Sequence, residues 1–372
     1  MQSQIIKPLN RPGEEYKILK FLGEGGFGIC VKVEDQAGQV FAVKAIKKDT
    51  LGQNFDDQFF KMQSQIIKPL NRPGEEYKIL KFLGEGGFGI CVKVEDQAGQ
   101  VFAVKAIKKD TLGQNFDDVL NEINIQRQLN HQNIVTLYDV FDDNDFVYIK
   151  MELCSNQSLF EMVINRGELT EPEVRFYMLQ LLDAVEYMHD RNILHRDLKL
   201  ENIFISEDMD LKVGDFRLSV ELESTDQRFN YSCGTVNYMA PEVLNTKIGH
   251  SFEADIWSLG VIMFMMIFGE SPFGVGDRSE VIDQILNIGY DFPENTEVSN
   301  EAIDLIYLIL NPNYDARLTI SEIRHHPFFN GATPPGLPTS ALRTVPNYNI
   351  ITDPELTGNL ITPTEKPKPP CG

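Results

Sequence analysis

The sequence is poor in cysteine, and its five cysteines follow no regular spacing. A small domain held together by disulfides would show a dense cysteine pattern, so this class of protein is not indicated. Two of the five, Cys30 and Cys91, are copies of each other, which leaves four independent positions. We therefore expect reduced thiols and a cytoplasmic or nuclear location.

Long hydrophobic runs are also missing. The most apolar stretch, LGVIMFMMIFG at residues 259–269, is about half of the ~20 residues that a membrane-spanning helix needs, so we predict a buried core helix there. Residues 1–10 show neither the apolar core of a secretory signal nor a myristoylation pattern. We expect no membrane partner.

Positive charge is scarce as well. The chain has 34 Lys and Arg residues against 55 Asp and Glu residues, a formal net charge of -21 at pH 7. Nucleic-acid binding depends on neutralising phosphates, so this balance weighs against a nucleic-acid partner. The simplest interpretation is an acidic surface that keeps the protein soluble.

What the sequence does contain is an internal repeat. Residues 1–57 and 62–118 are identical. Repeats of fixed period usually build stacked arrays, but two copies without divergence indicate a recent duplication or an error in the gene model. The second copy predicts three strands, at residues 77–83, 90–94 and 101–107. A sheet of three strands needs a partner to cover its apolar face.

The pattern becomes helical after the second copy. We predict a helix over residues 119–129, a strand over 146–153, and a long helix that begins after Thr170, which acts as its cap. Helices dominate as far as Phe329. Pro, Thr, Gly and Asn are frequent in residues 330–372, which predicts a loosely ordered tail.

A glycine-rich turn, Gly84-x-Gly86-x-x-Gly89, follows the first predicted strand of the second copy. A dinucleotide-binding turn of this pattern leads from a strand into a helix. Here the turn joins two strands and Lys105 lies on the third, as in sites where a glycine hairpin covers nucleotide phosphates. Glu122 on the next helix is the candidate partner of Lys105. Taken alone, each feature has an alternative interpretation. The turn would be an ordinary glycine-rich hairpin, and Lys105 and Glu122 would be solvated surface charges.

The most specific motif is HRDLKLEN at residues 195–202. It has the order H-R-D-x-x-x-x-N, in which Asp197 is expected to orient a substrate hydroxyl and accept its proton. Lys199 would stabilise a phosphoryl group in transfer, and Asn202 would ligate magnesium. Asp215 follows at the spacing of a second magnesium ligand. Phosphoryl transfer needs both oxygen ligands for magnesium and fixed positive charge.

Together these motifs resemble the eukaryotic protein kinases over residues 77–329, and Lys199 is typical of the Ser/Thr branch. Within that family the chain resembles the polo-like kinases. The shared phrases are GGFGIC (86–91), DNDFV (143–147), ELC (152–154), LTEPEVR (169–175) and GHSFEADIWS (249–258).

The resemblance implies an α+β fold of two lobes, with a small antiparallel β-sheet plus one helix and a larger, mainly helical lobe. It implies that Asp255 braces the catalytic loop and that Glu242 pairs with Arg317. Met151 would lie behind the adenine, which backbone groups of residues 152 and 154 would meet. The implied ATP-binding residues are Gly84, Gly86, Gly89, Cys91, Ala103, Lys105, Glu152 and Cys154.

The DFG triplet of the family reads Asp215-Phe216-Arg217 in this chain. A side chain in place of glycine restricts the backbone dihedral angles, so we expect magnesium binding to persist and conformational switching to be altered. Glu201 stands where polo-like kinases often have glycine. In basophilic kinases a glutamate at this place meets a substrate arginine, so substrate preference cannot be inferred from the polo-like pattern.

The activation segment also departs from the polo-like pattern. Tyr231 aligns with the activating threonine of the polo-like pattern, Ser232 lies beside it, and Val236 replaces a proline after Thr235. Arg196 could pair with a phosphate on this segment. The regulatory candidates are therefore Tyr231, Ser232, Thr235 and Arg196, with the phosphorylated residue left open.

Four regions are expected: residues 1–61 as a duplicated, non-functional part of the small lobe, 62–76 as an extension, 77–329 as the kinase domain and 330–372 as a Pro/Thr-rich tail too short for polo boxes. The second copy should build the small lobe. Use of the first would lengthen the loop before the Glu122 helix from roughly 10 to roughly 71 residues, at a cost of about 1.7 kcal/mol.

The resemblance thus implies an ATP-dependent protein serine/threonine kinase that uses ATP and Mg²⁺, acts on protein substrates and is a monomer. A cell-cycle role and a centrosomal, spindle-pole or kinetochore location are implied in the same way. The alternative is a weakly active or inactive, nucleotide-binding pseudokinase scaffold, because of Arg217. A binding module built on the duplicated sheet has little support, since no second lobe accompanies the first copy.

Overall fold

The structure is a computed structural model. It describes residues 66–346, apart from 71, 87–88, 112–115, 275 and 294–296, together with four backbone strands of the first copy. Within these described parts of the chain, no helix has the length and apolar character needed to cross a membrane.

The first copy forms an antiparallel sheet of its own, in the order β1-β2-β3-β4. Ile5 pairs with Lys17 in this sheet as Ile66 pairs with Lys78 in the second copy, so identical sequences adopt one register. The strands are β1 (Ile5–Ile6), β2 (Tyr16–Gly25), β3 (Gly28–Glu34) and β4 (Val40–Ala45).

The second copy contributes to a six-stranded antiparallel sheet of order β5-β6-β7-β8-β10-β9. The predicted strands are present with shifted ends; the one expected at 146–153 stops at Met151. Strand β9 was missed because its sequence, LYDVFD, includes two aspartates, which strands rarely contain. The strands are β5 (Ile66–Ile67), β6 (Tyr77–Gly86), β7 (Gly89–Asp96), β8 (Val101–Lys108), β9 (Leu137–Asp142) and β10 (Phe146–Met151).

Helix α1 (Phe116–Gln128) covers one face of this sheet. Val119 and Ile123 of the helix pack with Ile107 and Ile149 of strands β8 and β10. The helix is therefore the partner that the apolar face requires, and it brings Glu122, which is 2% exposed, against the sheet.

The large lobe is mainly helical, and the bilobal α+β fold is confirmed. The apolar stretch lies in helix α5, which is buried on nearly every side, as predicted for a core helix. The helices are α2 (Leu159–Arg166), α3 (Glu171–His189), α4 (Pro241–Leu244), α5 (Glu253–Phe268), α6 (Arg278–Asn287), α7 (Asn300–Ile309) and α8 (Ile320–Arg324). Short strands β11 (Ile193–Leu194), β12 (Ile203–Ile205), β13 (Leu211–Val213) and β14 (Val220–Glu221) flank the catalytic loop.

Residues 331–346 lie against the large lobe, so the expectation of loose ordering is wrong for them. Ala341 is fully buried and Leu337 is 7% exposed. Arg166 donates to the Ala341 carbonyl oxygen at 2.7 Å. A few apolar side chains in a Pro/Thr-rich segment thus suffice to fix it. The rest of the predicted tail, residues 347–372, lies outside the described residues.

Candidate active site

Asp255, at the start of helix α5, binds the backbone of the catalytic loop. Its carboxylate accepts hydrogen bonds from the backbone N–H groups of His195 and Arg196, both at 2.9 Å. His189 Nε2 donates to it at 2.9 Å. Burial would raise the pKa of Asp255, but the hydrogen bonds and charges of His189 and His195 together outweigh burial and lower the pKa. The loop is therefore fixed by a buried, ionised carboxylate.

Asp197 lies at the centre of the loop, with a side chain only 5% exposed. Asn202 Nδ2 donates to the backbone oxygen of Asp197 at 2.9 Å and to its Oδ2 at 3.1 Å. Lys199 Nζ is 3.0 Å from the same Oδ2. The three residues that the motif singled out are thus in direct contact.

An aliphatic hydroxyl already sits on this carboxylate. Thr235 Oγ1 donates to Asp197 Oδ1 at 2.8 Å and accepts from Lys199 Nζ at 2.9 Å. The side chain of Asp197 can therefore accept a hydrogen bond from a hydroxyl, which is the contact that a substrate Ser or Thr would need. Sequence reasoning placed Thr235 among regulatory residues and gave no signal for this contact.

Lys105 and Glu122 form a bidentate ion pair between strand β8 and helix α1. The Nζ atom is 2.6 Å from Oε1 and 2.8 Å from Oε2. Burial alone would lower the pKa of Lys105, but attraction by Glu122 and then Asp215 overcomes it and raises the pKa. Lys105 is thus a fixed cation, and its charge also acts on Asp215.

Asp215 has a positive φ angle of 61° and an Oδ1 atom that is buried without a hydrogen-bond partner among the described residues. Burial would raise its pKa, but Lys105 and Arg217 outweigh burial and lower it. A buried, ionised oxygen without a donor suits a cation. Because Asn202 donates its amide N–H to Asp197, its amide oxygen is left as a second candidate metal ligand.

These two residues therefore fit Mg²⁺. No cluster of three His, Cys, Asp or Glu side chains suited to a metal exists in the described part of the chain. Mg²⁺ is commonly bound by one or two carboxylates together with substrate phosphates, so Asp215 with Asn202 is a sufficient protein contribution.

The glycine-rich turn joins strands β6 and β7, where Gly86 pairs with Gly89. A Cβ atom on Gly89 would lie 2.2 Å from the Ala106 carbonyl oxygen, so close strand packing demands glycine there. A Cβ on Gly84 would meet no atom of the described residues within 4 Å, so none of them fills that space. Residues 87–88 of the turn lie outside the described residues.

The residues that we expect around an adenine lie on strands β7, β8 and β10 and just after β10. Ala103 pairs with Met151 across strands β8 and β10. Burial raises the pKa of the Cys91 thiol to about 11 and that of Cys154 to about 12, so both are neutral, apolar neighbours. The Glu152 carboxylate binds Lys212 at 2.6 Å, and its backbone N–H donates to the Thr136 carbonyl oxygen at 2.9 Å, so its own carbonyl oxygen is the group left for an adenine.

Glu242 and Arg317 form a second bidentate pair, at 2.7 and 3.0 Å, with side chains 1% and 0% exposed. The guanidinium also donates to the backbone oxygens of Asn311 and Glu253. This pair fixes the end of the activation segment to the helical core.

The departures from the family pattern have distinct surroundings. Arg217 does not have a positive φ angle, so its side chain requires no strained backbone here. Tyr231 contacts Arg196, whereas the Ser232 hydroxyl lies 3.6 Å from the Met239 sulfur. Of the candidates Tyr231 and Ser232, only Tyr231 has a hydrogen bond to the catalytic loop among the described contacts. The exposed Glu201 contacts the Tyr238 hydroxyl at 3.4 Å.

Three contributors besides Thr235 carry no signal in the sequence: His189, Ser219 and Asn121. His189 ends helix α3 and has no motif around it, yet it shares Asp255 with the catalytic loop. Ser219 Oγ donates to the His195 carbonyl oxygen at 3.3 Å, and Asn121 of helix α1 donates to the Ser219 carbonyl oxygen at 2.8 Å. This chain of contacts links the small lobe to the catalytic loop.

Comparison with known proteins agrees with this geometry. The sequence matches the protein kinase domain family over residues 77–329. It is 41% identical over 281 residues to the cell cycle serine/threonine-protein kinase CDC5/MSD2 of Saccharomyces cerevisiae, covering 75% of this chain and 40% of the yeast protein.

Two animal proteins give similar values. The serine/threonine-protein kinase plk-2 of Caenorhabditis elegans is 41% identical over 277 residues, which is 73% of this chain and 43% of that protein. The serine/threonine-protein kinase PLK1 of Xenopus laevis is 40% identical over 289 residues, which is 77% of this chain and 48% of that protein. The chain spans less than half the length of these relatives.

Proposed function

The chain belongs to the protein kinase family and resembles its polo-like members, and we propose that it is an ATP-dependent protein serine/threonine kinase. The observation that carries this proposal is the Asp197 carboxylate. It is buried, it contacts Lys199 and Asn202, and it accepts an aliphatic hydroxyl at 2.8 Å. A substrate Ser or Thr hydroxyl in the same relation to Asp197 would be oriented for attack.

Each residue of the site has a separate task in the proposed reaction. Lys105, held by Glu122, presents a fixed cation to the phosphates of the nucleotide. Asp197 orients the substrate hydroxyl and takes its proton, while Lys199, 3.0 Å away, offsets the negative charge that develops. Asp215 and Asn202 would hold Mg²⁺. When bound, MgATP supplies the phosphoryl group and a metal that neutralises phosphate charge.

An active enzyme is favoured over the pseudokinase alternative. The catalytic Asp, the Lys105–Glu122 pair and a carboxylate with an unpartnered oxygen are all in place. Arg217 adds positive charge beside Asp215, lowering its pKa further, so the carboxylate stays ionised for a metal. The relatives that we compared are all named as kinases.

We further infer the setting of this activity. The second copy of the repeat supplies the small lobe, because strand β8 pairs with β10 from Phe146 to Met151. Residues 1–61 are then not needed for catalysis. Protein substrates, a monomeric enzyme, a cell-cycle role and location at a centrosome, spindle pole or kinetochore follow from the resemblance to polo-like kinases. A membrane or nucleic-acid partner is not proposed.

The test is incorporation of phosphate from γ-labelled ATP into a general protein substrate such as casein. Wild type should incorporate label, and Asp197→Asn should fall by at least about a thousandfold, since it loses the proton acceptor of a positioned general base. Circular dichroism of the variant must match wild type. Equal incorporation by the two proteins would show that the labelling does not depend on Asp197, and this result would refute the proposal.

A further inference from the structure

Arg196 precedes Asp197 in the catalytic loop and has a positive φ angle of 65°. Its backbone N–H is bound by Asp255, while its side chain reaches the activation segment. The guanidinium donates to the Leu218 carbonyl oxygen at 2.6 Å and to the Tyr231 hydroxyl. The guanidinium carbon lies 5.1 Å from the centre of the Tyr231 ring. Arg196 therefore joins the catalytic loop to the activation segment.

The partners of this side chain carry no full negative charge. Among the described residues, they are a carbonyl oxygen, a tyrosine hydroxyl and the rings of Phe229 and Tyr231, each ring centre 5.1 Å away. Aromatic faces attract a guanidinium because of their quadrupole. The charge of Arg196 is thus compensated by dipoles and rings.

The segment that carries these rings is itself fastened. Phe229 and His250 exchange backbone hydrogen bonds of 2.9 and 3.1 Å. Arg228 donates to the Gly249 carbonyl oxygen at 2.8 Å and pairs with Glu253 at the start of helix α5. The His250 ring packs 6.1 Å from the Tyr231 ring. Backbone and ion-pair contacts therefore place Tyr231 over Arg196.

We propose that unmodified Tyr231 is a positioning residue for catalysis, which holds Arg196 and thereby sets the Asp197 backbone without a phosphate on the activation segment. This inference rests on the proposed kinase function. A threonine at this position has no ring to cover a guanidinium, and its hydroxyl lies close to its own backbone. Tyrosine supplies both the aromatic face and a hydroxyl at longer reach, so the neutral side chain suffices.

The experiment uses the full chain after treatment with a protein phosphatase, with mass spectrometry to verify that residues 224–240 carry no phosphate. Treated wild type should keep its kcat within about twofold of untreated protein. Tyr231→Ala should lose about tenfold in kcat, because a cation–π contact and a hydrogen bond to a charged group are both removed. The KM for ATP should stay within about twofold, since Tyr231 contacts none of the proposed ATP-binding residues.

Tyr231→Phe keeps the ring, so it should recover most of the activity that Tyr231→Ala loses. Tyr307→Ala, at another exposed tyrosine (62% exposed), is the matched control and should behave as wild type. Loss of activity from wild type after phosphatase treatment would overturn the inference in favour of a phosphate switch. Full activity of Tyr231→Ala would overturn the positioning role. Untreated wild type no more active than Asp197→Asn would refute the proposed function itself.

Discussion

Replacement of Asp255 by asparagine should loosen the catalytic loop while leaving the ATP-binding residues in place. The carboxylate is 1% exposed. Its Oδ2 accepts from the His195 N–H and from His189, and its Oδ1 accepts from the Arg196 N–H. An asparagine side chain carries an oxygen acceptor in place of one carboxylate oxygen and an NH2 donor in place of the other. At least one of the three donors must therefore face the amide N–H.

The magnitude follows from those contacts. A buried donor without a partner costs about 1–3 kcal/mol, and two remaining hydrogen bonds lose the charge assistance that makes such bonds stronger. We expect Asp255→Asn to lower the free energy of unfolding by about 3 kcal/mol, which lowers Tm by about 6–12 °C in a domain of this size. The kcat should fall by at least about tenfold and the KM for ATP should change less than about twofold.

The assay is thermal unfolding followed by circular dichroism, with steady-state kinetics on the same preparations. Asp208→Asn is the matched control, because that residue is exposed in a turn, and it should shift stability by less than about 0.5 kcal/mol. A Tm within the error of the control, or a loss confined to the KM for ATP, would refute the bracing role of Asp255.

The pH dependence provides a second check. The folded pKa of Asp255 is lowered, so its ionised form stabilises the fold above the unfolded pKa of about 3.9, and this contribution is lost as pH falls through the folded pKa. The stability gap between wild type and Asp255→Asn should therefore narrow below about pH 4. A gap that widens with acid would contradict the assignment.

Three further predictions concern other buried charges. Glu242→Gln should destabilise the protein by about 3–5 kcal/mol in chemical denaturation, because Arg317 is left buried with its charge uncompensated, and adding Arg317→Met should recover much of the loss; equal stability of both variants would contradict this. Asp215→Asn should remain folded but lose the Mg²⁺-dependent part of the thermal shift produced by a non-hydrolysable ATP analogue, and an unchanged shift would remove Asp215 from the metal site. Lys105→Met should keep roughly one-twentieth of the activity if the first copy can substitute, as the loop entropy of about 1.7 kcal/mol allows, and that remainder should vanish with Lys44→Met; zero activity in the single variant would exclude substitution.

The motifs of the catalytic loop could be read from the sequence because phosphoryl transfer requires particular side chains in a fixed local order. Asp197, Lys199 and Asn202 lie within one short loop, so their spacing along the chain nearly determines their spacing in space. Lys105 and Glu122 were paired through the order of strand and helix, and the structure places them 2.6 Å apart.

Contacts between distant segments could not be read in this way. The hydrogen bond between Thr235 and Asp197 depends on how the activation segment folds back, and no local pattern encodes it. The approach of Tyr231 to Arg196 depends on the same fold-back. The aspartates of strand β9 obscure its strand pattern, and one of them, Asp139, pairs with Arg72 between strands β5 and β6. Long-range pairing therefore overrode the local propensity.

The most direct test of the central claim is identification of the residues that the protein phosphorylates. Wild type and Asp197→Asn are incubated with γ-labelled MgATP and casein, and the labelled amino acids are separated after acid hydrolysis. Our account predicts phosphoserine and phosphothreonine with wild type only. Label on tyrosine alone, or equal labelling by both proteins, would contradict a serine/threonine kinase that uses Asp197 to accept the substrate proton.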